Sequence, residues 1–124
     1  MVVYTPRGAA ESLLARLQRW SLQLLIKPVF SPRFSMVTPL GRALDVDALH
    51  LLFQAAGGQK KGFRIQLSEL RVIALHQRGA TVSYREQQSD ASGAHTDRRS
   101  TVVFEKLESG RVFWLHLQET FCSE

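Results

Sequence analysis

The sequence contains one cysteine, Cys122, so an intrachain disulfide is excluded and a reducing compartment is the simplest expectation. It has no apolar run approaching the ~20 residues that a membrane-spanning helix needs. The start, MVVYTPRG, lacks the basic and apolar segments of a secretory signal. These absences predict a cytoplasmic protein without a membrane partner.

Several chemical motifs are also missing. No HxxxH or CxxC spacing offers metal ligands, no GxSxG marks a nucleophile, and no glycine-rich loop is suited to phosphate. The net charge is +5, but adjacent basic residues occur only at Lys60-Lys61 and Arg98-Arg99, without the concentrated basic surface that nucleic acid requires. We therefore expect no metal, no cofactor and no nucleic-acid partner.

The 124 residues, 44% of them hydrophobic and 22% charged, are sufficient for one globular domain spanning residues 1–124. In the N-terminal half, ESLLARLQRWSLQLLI has apolar residues at helical spacing and ends before Pro28. A short extended segment follows at Phe34–Thr38. LDVDALHLLFQAAGG then predicts a second helix with Asp45 as its N-cap.

From Phe63 onward the apolar period changes to two, which predicts four long antiparallel strands. In the first of them the parity switches at Ser68-Glu69, which is typical of a β-bulge. The other three strands are predicted at Ala80–Gln88, Asp97–Lys106 and Arg111–Phe121. The fold class is therefore α+β, with the apolar stripes of the helices buried on one face of the sheet.

The turn LESG joins the last two strands, and closing it places Lys106 opposite Arg111 and Arg98 opposite Glu119. Residues opposite one another share a sheet face. The preceding strand is placed so that Tyr84 joins the apolar face, because a slip of one residue would bury Arg85. The face under the helices is then apolar at one end and polar at the other.

An apolar cavity with a few convergent polar groups is the usual form of a small-molecule site. The predicted ligand-binding residues share this face: Tyr84, Glu86, Arg98, Ser100, Val102, Leu115, Leu117 and Glu119. Glu86, Glu119 and Tyr84 are also the candidate catalytic residues, because a carboxylate in a partly apolar pocket can act as a base and a tyrosine can donate to an oxyanion. The alternative is that the charged members form a structural ion-pair cluster.

The opposite face of the sheet is predicted to be an interface. Its residues are Arg99, Thr101, Trp114, His116 and Gln118. Exposed tryptophan and arginine together are typical of interface anchors rather than of catalytic sites. We therefore predict a homodimer through this face, and assign His116 to the interface rather than to a catalytic base.

The order of elements resembles the nuclear transport factor 2-like superfamily, which has a cystatin-like α+β cone in which a curved antiparallel sheet wraps around N-terminal helices. FSPRFSMVTPLGRALDVDAL resembles the segment that joins its early helices, and YREQQ, RRSTVVFEK and GRVFWLHLQET resemble its last three strands. The resemblance extends from about Leu13 to Phe121, and is to small uncharacterised bacterial members and to the association domain of calcium/calmodulin-dependent protein kinase II.

The resemblance implies several functions, since this fold hosts isomerases, dehydratases, cyclases, transport factors and assembly domains. Related sequences often end in a His-x-His pattern, but Gln118 here stands where the second histidine would be. We expect the cone to bind a small apolar or anionic molecule. Two alternatives are a cofactor-free enzyme of the ketosteroid isomerase, dehydratase or polyketide cyclase type, and a dimerisation module without a ligand.

Overall fold

The computed structural model describes residues 2–4, 23–56 and 62–123. These residues form seven strands and one helix in the order β1 (Val2–Tyr4), β2 (Phe30–Val37), β3 (Ala43–Asp45), α1 (Val46–Ala56), β4 (Arg64–His76), β5 (Gly79–Ser89), β6 (His95–Lys106) and β7 (Val112–Phe121). Most of the first predicted helix lies outside the described residues, although residues 23–26 are helical. The four predicted C-terminal strands are confirmed.

The strands form one sheet in the order β1-β4-β5-β6-β7-β2-β3. The ladders joining β4, β5, β6 and β7 are antiparallel, whereas β1 lies parallel to β4 and β2 lies parallel to β7. The sheet is curved and does not close on itself, so it has a concave and a convex face. The predicted α+β class and the cone-like architecture are confirmed.

Two local features follow from the sequence as predicted. The Asp45 carboxylate accepts a hydrogen bond from the Ala48 amide at 2.8 Å, which is the N-cap contact at the start of α1. In β4 the register shifts between Ser68 and Arg71, and Glu69 has a φ of 52°. The parity switch in the sequence is therefore a β-bulge that contains a residue in the left-handed region.

The core lies on the concave face of the sheet, under α1 and the segment that precedes β2. Its buried apolar residues are Phe34, Met36, Leu44, Leu49, Leu67, Leu70, Ala80, Val82, Tyr84, Val102, Phe104, Trp114 and Leu117. Within the described ranges, no helix has the length and apolar character needed to cross a bilayer. The burial alternates along β5, β6 and the end of β7, as expected for a sheet with one covered face.

The turn between β6 and β7 is one residue longer than predicted. The Leu107 amide donates to the Arg111 carbonyl at 2.8 Å, which closes a five-residue loop, and Lys106 lies opposite Val112. The predicted pairing of Lys106 with Arg111 is therefore wrong. The sequence LESG is compatible with a four-residue and with a five-residue loop, because its glycine can adopt the turn conformation that either loop needs.

A β-bulge in β7 adds a second shift. Phe104 lies opposite Trp114, but the next residue of β6, Val103, lies opposite His116, so Leu115 is an additional residue in the bulged strand. The first shift turns Trp114 onto the concave face, and the second restores the predicted parity from His116 onward. The prediction that Trp114 faces outward is wrong, and so is the regular pairing predicted for Leu115.

Candidate functional site

The polar end of the concave face is formed by two neighbouring rows of the sheet. In one row Tyr84 lies opposite Ser100, which lies opposite Glu119. In the next row Glu86 lies opposite Arg98. We call these five residues the mouth cluster, because they lie at the end of the concave face where side chains become accessible to solvent.

An apolar row lies directly behind the mouth cluster. It consists of Val82, Val102 and Leu117, paired across β5, β6 and β7. Seven of the eight residues that were predicted to bind a ligand are thus brought together on one face. Leu115 is the exception, because it lies in the bulge of β7.

Glu119 is the most buried carboxylate of the mouth cluster, with 8% of its surface exposed. The Ser100 hydroxyl donates to its Oε2 at 3.3 Å, and Arg98 Nη1 lies 3.6 Å from its Oε1. Both contacts are longer than the 2.7–2.9 Å of a strong charge-assisted hydrogen bond. Burial raises the pKa of Glu119, and the nearby Glu86 carboxylate raises it further, against the opposing effect of Arg98.

The Arg98 guanidinium is held on several sides. Its Nη2 donates to the Thr96 hydroxyl at 3.0 Å, and its central carbon lies 5.2 Å from the centroid of the Phe121 ring. Its Nε is buried and has no hydrogen-bond partner within the described residues. A buried donor without a partner is unfavourable by ~1–3 kcal/mol, so this N–H is an exception that calls for an acceptor.

Tyr84 has 4% of its surface exposed. Burial raises the pKa of its phenol, and the charges of Glu86 and Glu119 raise it further, while a hydrogen bond with Ser100 and the charge of Arg98 act in the opposite direction. The phenol therefore stays protonated and is available both to donate and to accept a hydrogen bond.

Glu86 lies closer to solvent than Glu119 and is only half-buried. It accepts a hydrogen bond from the Gln88 side-chain amide, which lies two residues further along β5 on the same face. No salt bridge reaches Glu86 from any described residue. The mouth cluster therefore grades from a buried carboxylate to a half-exposed one. Such an arrangement can accept hydrogen bonds from a bound molecule or hold a proton.

The sequence prediction missed two residues of this site. Gln88 could have been found, because it continues the alternation that places Tyr84 and Glu86 on the concave face. Phe121 could not have been found, because the predicted register put Glu119 opposite Arg98, whereas Arg98 pairs with Phe121.

The convex face carries four of the five residues that were predicted to form an interface. Thr101 lies opposite Gln118, His116 lies opposite Val103, and Arg99 follows toward the polar end. The His116 Nδ1 and the Ser35 hydroxyl are 2.8 Å apart in a hydrogen bond that joins β7 to β2.

Trp114, the fifth predicted interface residue, is buried on the concave side with 6% of its surface exposed. Its indole N–H donates to the Leu24 carbonyl at 2.9 Å, and its ring packs edge-on against Phe30 and Phe104 at 5.7 and 6.0 Å between centroids. Trp114 is therefore a core residue that holds the segment before β2 against the sheet. Its predicted place in the interface is wrong.

Several charged residues on the convex face form ion pairs. Arg85 makes a bidentate contact with Asp97, and Arg99 Nη1 lies 3.3 Å from the Glu69 carboxylate. The hydrogen bond from Arg85 holds the pKa of Asp97 below its usual value. Partial burial and a hydrogen bond to Asp97 raise the pKa of the Cys122 thiol, which disfavours a reactive thiolate.

Two clefts that are lined by described residues lie away from the mouth cluster. One, of about 360 Å³, is formed by polar side chains at the ends of β4, β5 and β6, including Arg64, Gln87 and His95. The other, of about 280 Å³, lies beside Arg99 and Cys122. Among the residues described, no group of three or more histidine, cysteine or acidic side chains is arranged to hold a metal ion.

The sequence matches no family model and no curated protein. Solved structures do match. An NTF-2-like protein of unknown function from Pseudomonas aeruginosa is 49% identical, with a TM-score of 0.71, and the match covers 76% of this chain and 74% of that one. The association domain of CaMKII from C. elegans has 17% identity and a TM-score of 0.66, covering 85% of this chain and 92% of that one.

A third similar structure is a candidate ketosteroid isomerase from Shewanella frigidimarina. It has 13% identity and a TM-score of 0.52, and the match covers 86% of each chain. At these identities, the CaMKII association domain and the candidate isomerase are informative about the fold alone.

Proposed function

This chain belongs to the NTF-2-like family, and from that premise we propose that it binds a small molecule at the mouth cluster, inside the concave face of its sheet. The observation that carries the proposal is the incomplete satisfaction of the buried polar groups there. The Arg98 Nε has no partner among the described residues, and the contacts of Glu119 are 3.3 and 3.6 Å long.

The energetic argument concerns what this arrangement costs the fold. Burying a polar group without a good hydrogen bond is unfavourable by a few kcal/mol, and replacing a buried ion pair by apolar residues is often neutral or stabilising. Val82, Val102 and Leu117 show that the same three strands pack an apolar row without difficulty. Polar groups in the adjacent rows are therefore better explained by binding than by stability.

A thermal-shift screen with a metabolite library tests the proposal, because a ligand that binds the folded state raises the melting temperature. We expect at least one compound to give a shift that Tyr84→Phe or Arg98→Gln abolishes. Ser83→Ala is the matched control for Tyr84→Phe, since it removes one hydroxyl from the adjacent position on the convex face. A library without hits, or hits that are indifferent to both changes at the mouth cluster, would refute the proposed function.

The convex face supports a second proposal, that the chain forms a homodimer. Across β5, β6 and β7 its middle row is uncharged, with Thr101 paired to Ser83 on one side and to Gln118 on the other, and Arg71 continues the row on β4. Ion pairs lie toward both ends of the face, at Asp97 and at Glu105. An uncharged strip across the three central strands of the sheet suits an isologous contact. The similar domain of CaMKII is described as an association domain, which fits this proposal.

Sedimentation of the wild-type protein and of Thr101→Arg tests the dimer. We expect a dimer for the wild type and a folded monomer for the variant, because the introduced charges would face each other across the two-fold axis. Thr96→Arg, at an exposed position near the mouth, is the control. A monomeric wild type at micromolar concentration would exclude the proposal.

A third proposal, catalysis without a cofactor, has one observation in its favour: burial raises the pKa of Glu119, as expected for a general acid or base. The partners in such a reaction would be Tyr84 and Glu86. Glu119→Gln should then remove turnover of a substrate found among the library hits, while it leaves binding within about tenfold. If hits are bound and recovered unchanged, the site is a binding site only.

A further inference from the structure

Two arginines stand directly opposite each other on the convex face. Arg85 of β5 pairs with Arg99 of β6, in the row next to that of Thr101 toward the polar end of the sheet. Like charges that lie opposite one another across a ladder repel and are destabilising. Anionic groups must therefore lie close to this pair, and their positions show where the guanidinium donors point.

Each guanidinium has a carboxylate near it, but the two carboxylates are held differently. Asp97 takes the Nε and Nη2 of Arg85 in the bidentate contact described above. The remaining Nη1 of Arg85 and the Nη1 of Arg99 approach one and the same atom, the Oε2 of Glu69, at 3.8 and 3.3 Å. The two arginines therefore direct one nitrogen each toward a shared point, which an anionic oxygen occupies.

Glu69 is a weakly held occupant of that point. Both distances exceed the 2.7–2.9 Å of a charge-assisted hydrogen bond, and 47% of its side chain is exposed. An exposed ion pair of this kind contributes little to stability, so a better anion can displace it. Arg99 also keeps donors in reserve, because its Nε and Nη2 have no hydrogen-bond partner within the described residues.

A cleft of about 280 Å³ adjoins the two guanidiniums. The described residues that line it are Arg85, Arg99, Thr120, Phe121, Cys122 and Ser123. Every polar side chain among them can donate a hydrogen bond, and none of them is a carboxylate. Because donors converge on this cleft and acidic side chains do not line it, it favours an oxoanion over a cation.

A phosphate group matches this arrangement better than the Glu69 carboxylate does. It carries about −1.5 to −2 charges near neutral pH and has three acceptor oxygens, so separate oxygens can face Arg85, Arg99 and the Thr120 hydroxyl. The planar fork of arginine suits phosphate geometry. The cleft is smaller than the ~300–1,000 Å³ of sites for drug-sized ligands, so the organic part of a ligand must be small.

We infer that Arg85 and Arg99 form a binding site for a phosphate group, of free phosphate or of a small phosphate ester, and that the Glu69 carboxylate occupies this site until the phosphate displaces it. Glu69 is then an internal competitor that keeps the arginines paired when no ligand is bound. The site is independent of the mouth cluster, which lies on the opposite face. It lies at the margin of the uncharged strip proposed for the dimer contact.

An NMR titration of the arginine Nε–H and backbone amide signals at constant ionic strength tests the site with four probes: inorganic phosphate, glycerol 3-phosphate, glycerol and acetate. We expect both phosphates to shift the signals of Arg99 and Thr120 and glycerol to shift neither. Acetate should bind about tenfold more weakly, which is the effect of one charge-assisted hydrogen bond fewer. Tighter binding of glycerol 3-phosphate than of phosphate identifies an ester as the ligand, and the reverse order identifies free phosphate.

Two charge-matched pairs of variants assign the effect to these residues. Glu69→Gln should tighten phosphate binding by about threefold to fivefold, because it removes the competing charge of one exposed ion pair, whereas Glu108→Gln should change it by less than about twofold. Arg99→Met should weaken binding by about tenfold, whereas Arg78→Met should have little effect. Both control residues are exposed and lie in turns near the end of β6 that is remote from Arg99.

The direction of the Glu69 effect distinguishes a binding site from a structural ion-pair network. If Glu69→Gln tightens binding no more than Glu108→Gln does, Glu69 is not a competitor and the inference is wrong. It is also wrong if glycerol binds as well as glycerol 3-phosphate, or if Arg99→Met and Arg78→Met weaken binding equally. Tyr84→Phe should leave phosphate binding unchanged, so a failure of the small-molecule site at the mouth cluster is recognised separately.

Discussion

The two faces of the sheet both carry charged residues, but these residues are in different environments. On the convex face Arg85 and Asp97 form a bidentate pair in contact with solvent. On the concave face Arg98 and Glu119 are buried and approach only to 3.6 Å. Exposed pairs contribute little to stability, whereas a poorly paired buried charge is costly, so it is the incomplete contact that points to function.

The largest expected effect concerns Trp114, because a buried position on the concave face and an exposed position on the convex face predict very different losses of stability. Trp114→Ala removes a buried ring that packs on Phe104 and bonds to the Leu24 carbonyl, and should lower the free energy of unfolding by about 3–5 kcal/mol. Urea unfolding measures it. If Trp114→Ala instead leaves stability unchanged and only converts dimers to monomers, Trp114 lies on the convex face after all.

The next largest effect on the free energy of unfolding is expected from the adjacent residues Arg98 and Arg99, which lie on opposite faces of the sheet. Arg98→Met leaves Glu119 buried without its counter-ion and should cost about 3 kcal/mol at pH 7, whereas Arg99→Met, which removes an exposed contact with Glu69, should cost less than about 0.5 kcal/mol. Urea unfolding of the two variants side by side is the measurement. Equal losses would remove the contrast between the faces.

The pH dependence of stability should have opposite signs on the two faces. The pKa of Glu119 is raised from 4.5 on folding, so its protonated form favours the folded state, and its contribution to stability is lost as the pH rises above about 4.5. The pKa of Asp97 is lowered from 3.8, so its contribution is present above that pH and is lost as the pH falls below it.

Melting temperatures of two variants between pH 3 and pH 8 test these signs. Relative to the wild type, Glu119→Gln should become more stable as the pH rises, because it removes a buried charge. Asp97→Asn should become less stable over the same interval. If the stability difference from the wild type changes in the same direction with pH for both variants, the predicted contrast between Glu119 and Asp97 is wrong.

The smallest effect concerns the bulge in β4. Glu69 has a φ of 52°, which costs a non-glycine residue ~1 kcal/mol, and its carboxylate lies 3.3 Å from Arg99. Glu69→Gly relieves the backbone and Glu69→Ala does not, although both lose the ion pair. We expect Glu69→Gly to be more stable than Glu69→Ala by about 1 kcal/mol in urea unfolding. A reversed order would mean that the backbone at this position is not strained.

Alternation within a single strand carried most of the prediction. Val82, Tyr84 and Glu86 were placed on the concave face because the opposite choice would have buried Arg85, and that choice put Glu86 on the same face as Arg98, with which it pairs in the structure. The N-cap at Asp45 and the bulge at Glu69 were likewise written in a few consecutive residues.

The orientation of β7 near its start could not be predicted. Phe113, Trp114 and Leu115 are all apolar, so hydrophobicity does not say which of them faces the core, and the length of the turn decides it instead. Two shifts of one residue then cancel from His116 onward. The predicted faces of Gln118 and Glu119 are therefore found in the structure, although the pairing used to derive them was not.

The bulge at Leu115 also affects how this fold can change during evolution. Because it is one unpaired residue in a strand of otherwise strict alternation, it can be deleted when one residue is gained in the preceding turn, and the end of β7 is left unmoved. Length changes in this hairpin should therefore occur in compensating pairs among related sequences. An alignment that spreads them as independent gaps would exchange the two faces of the strand.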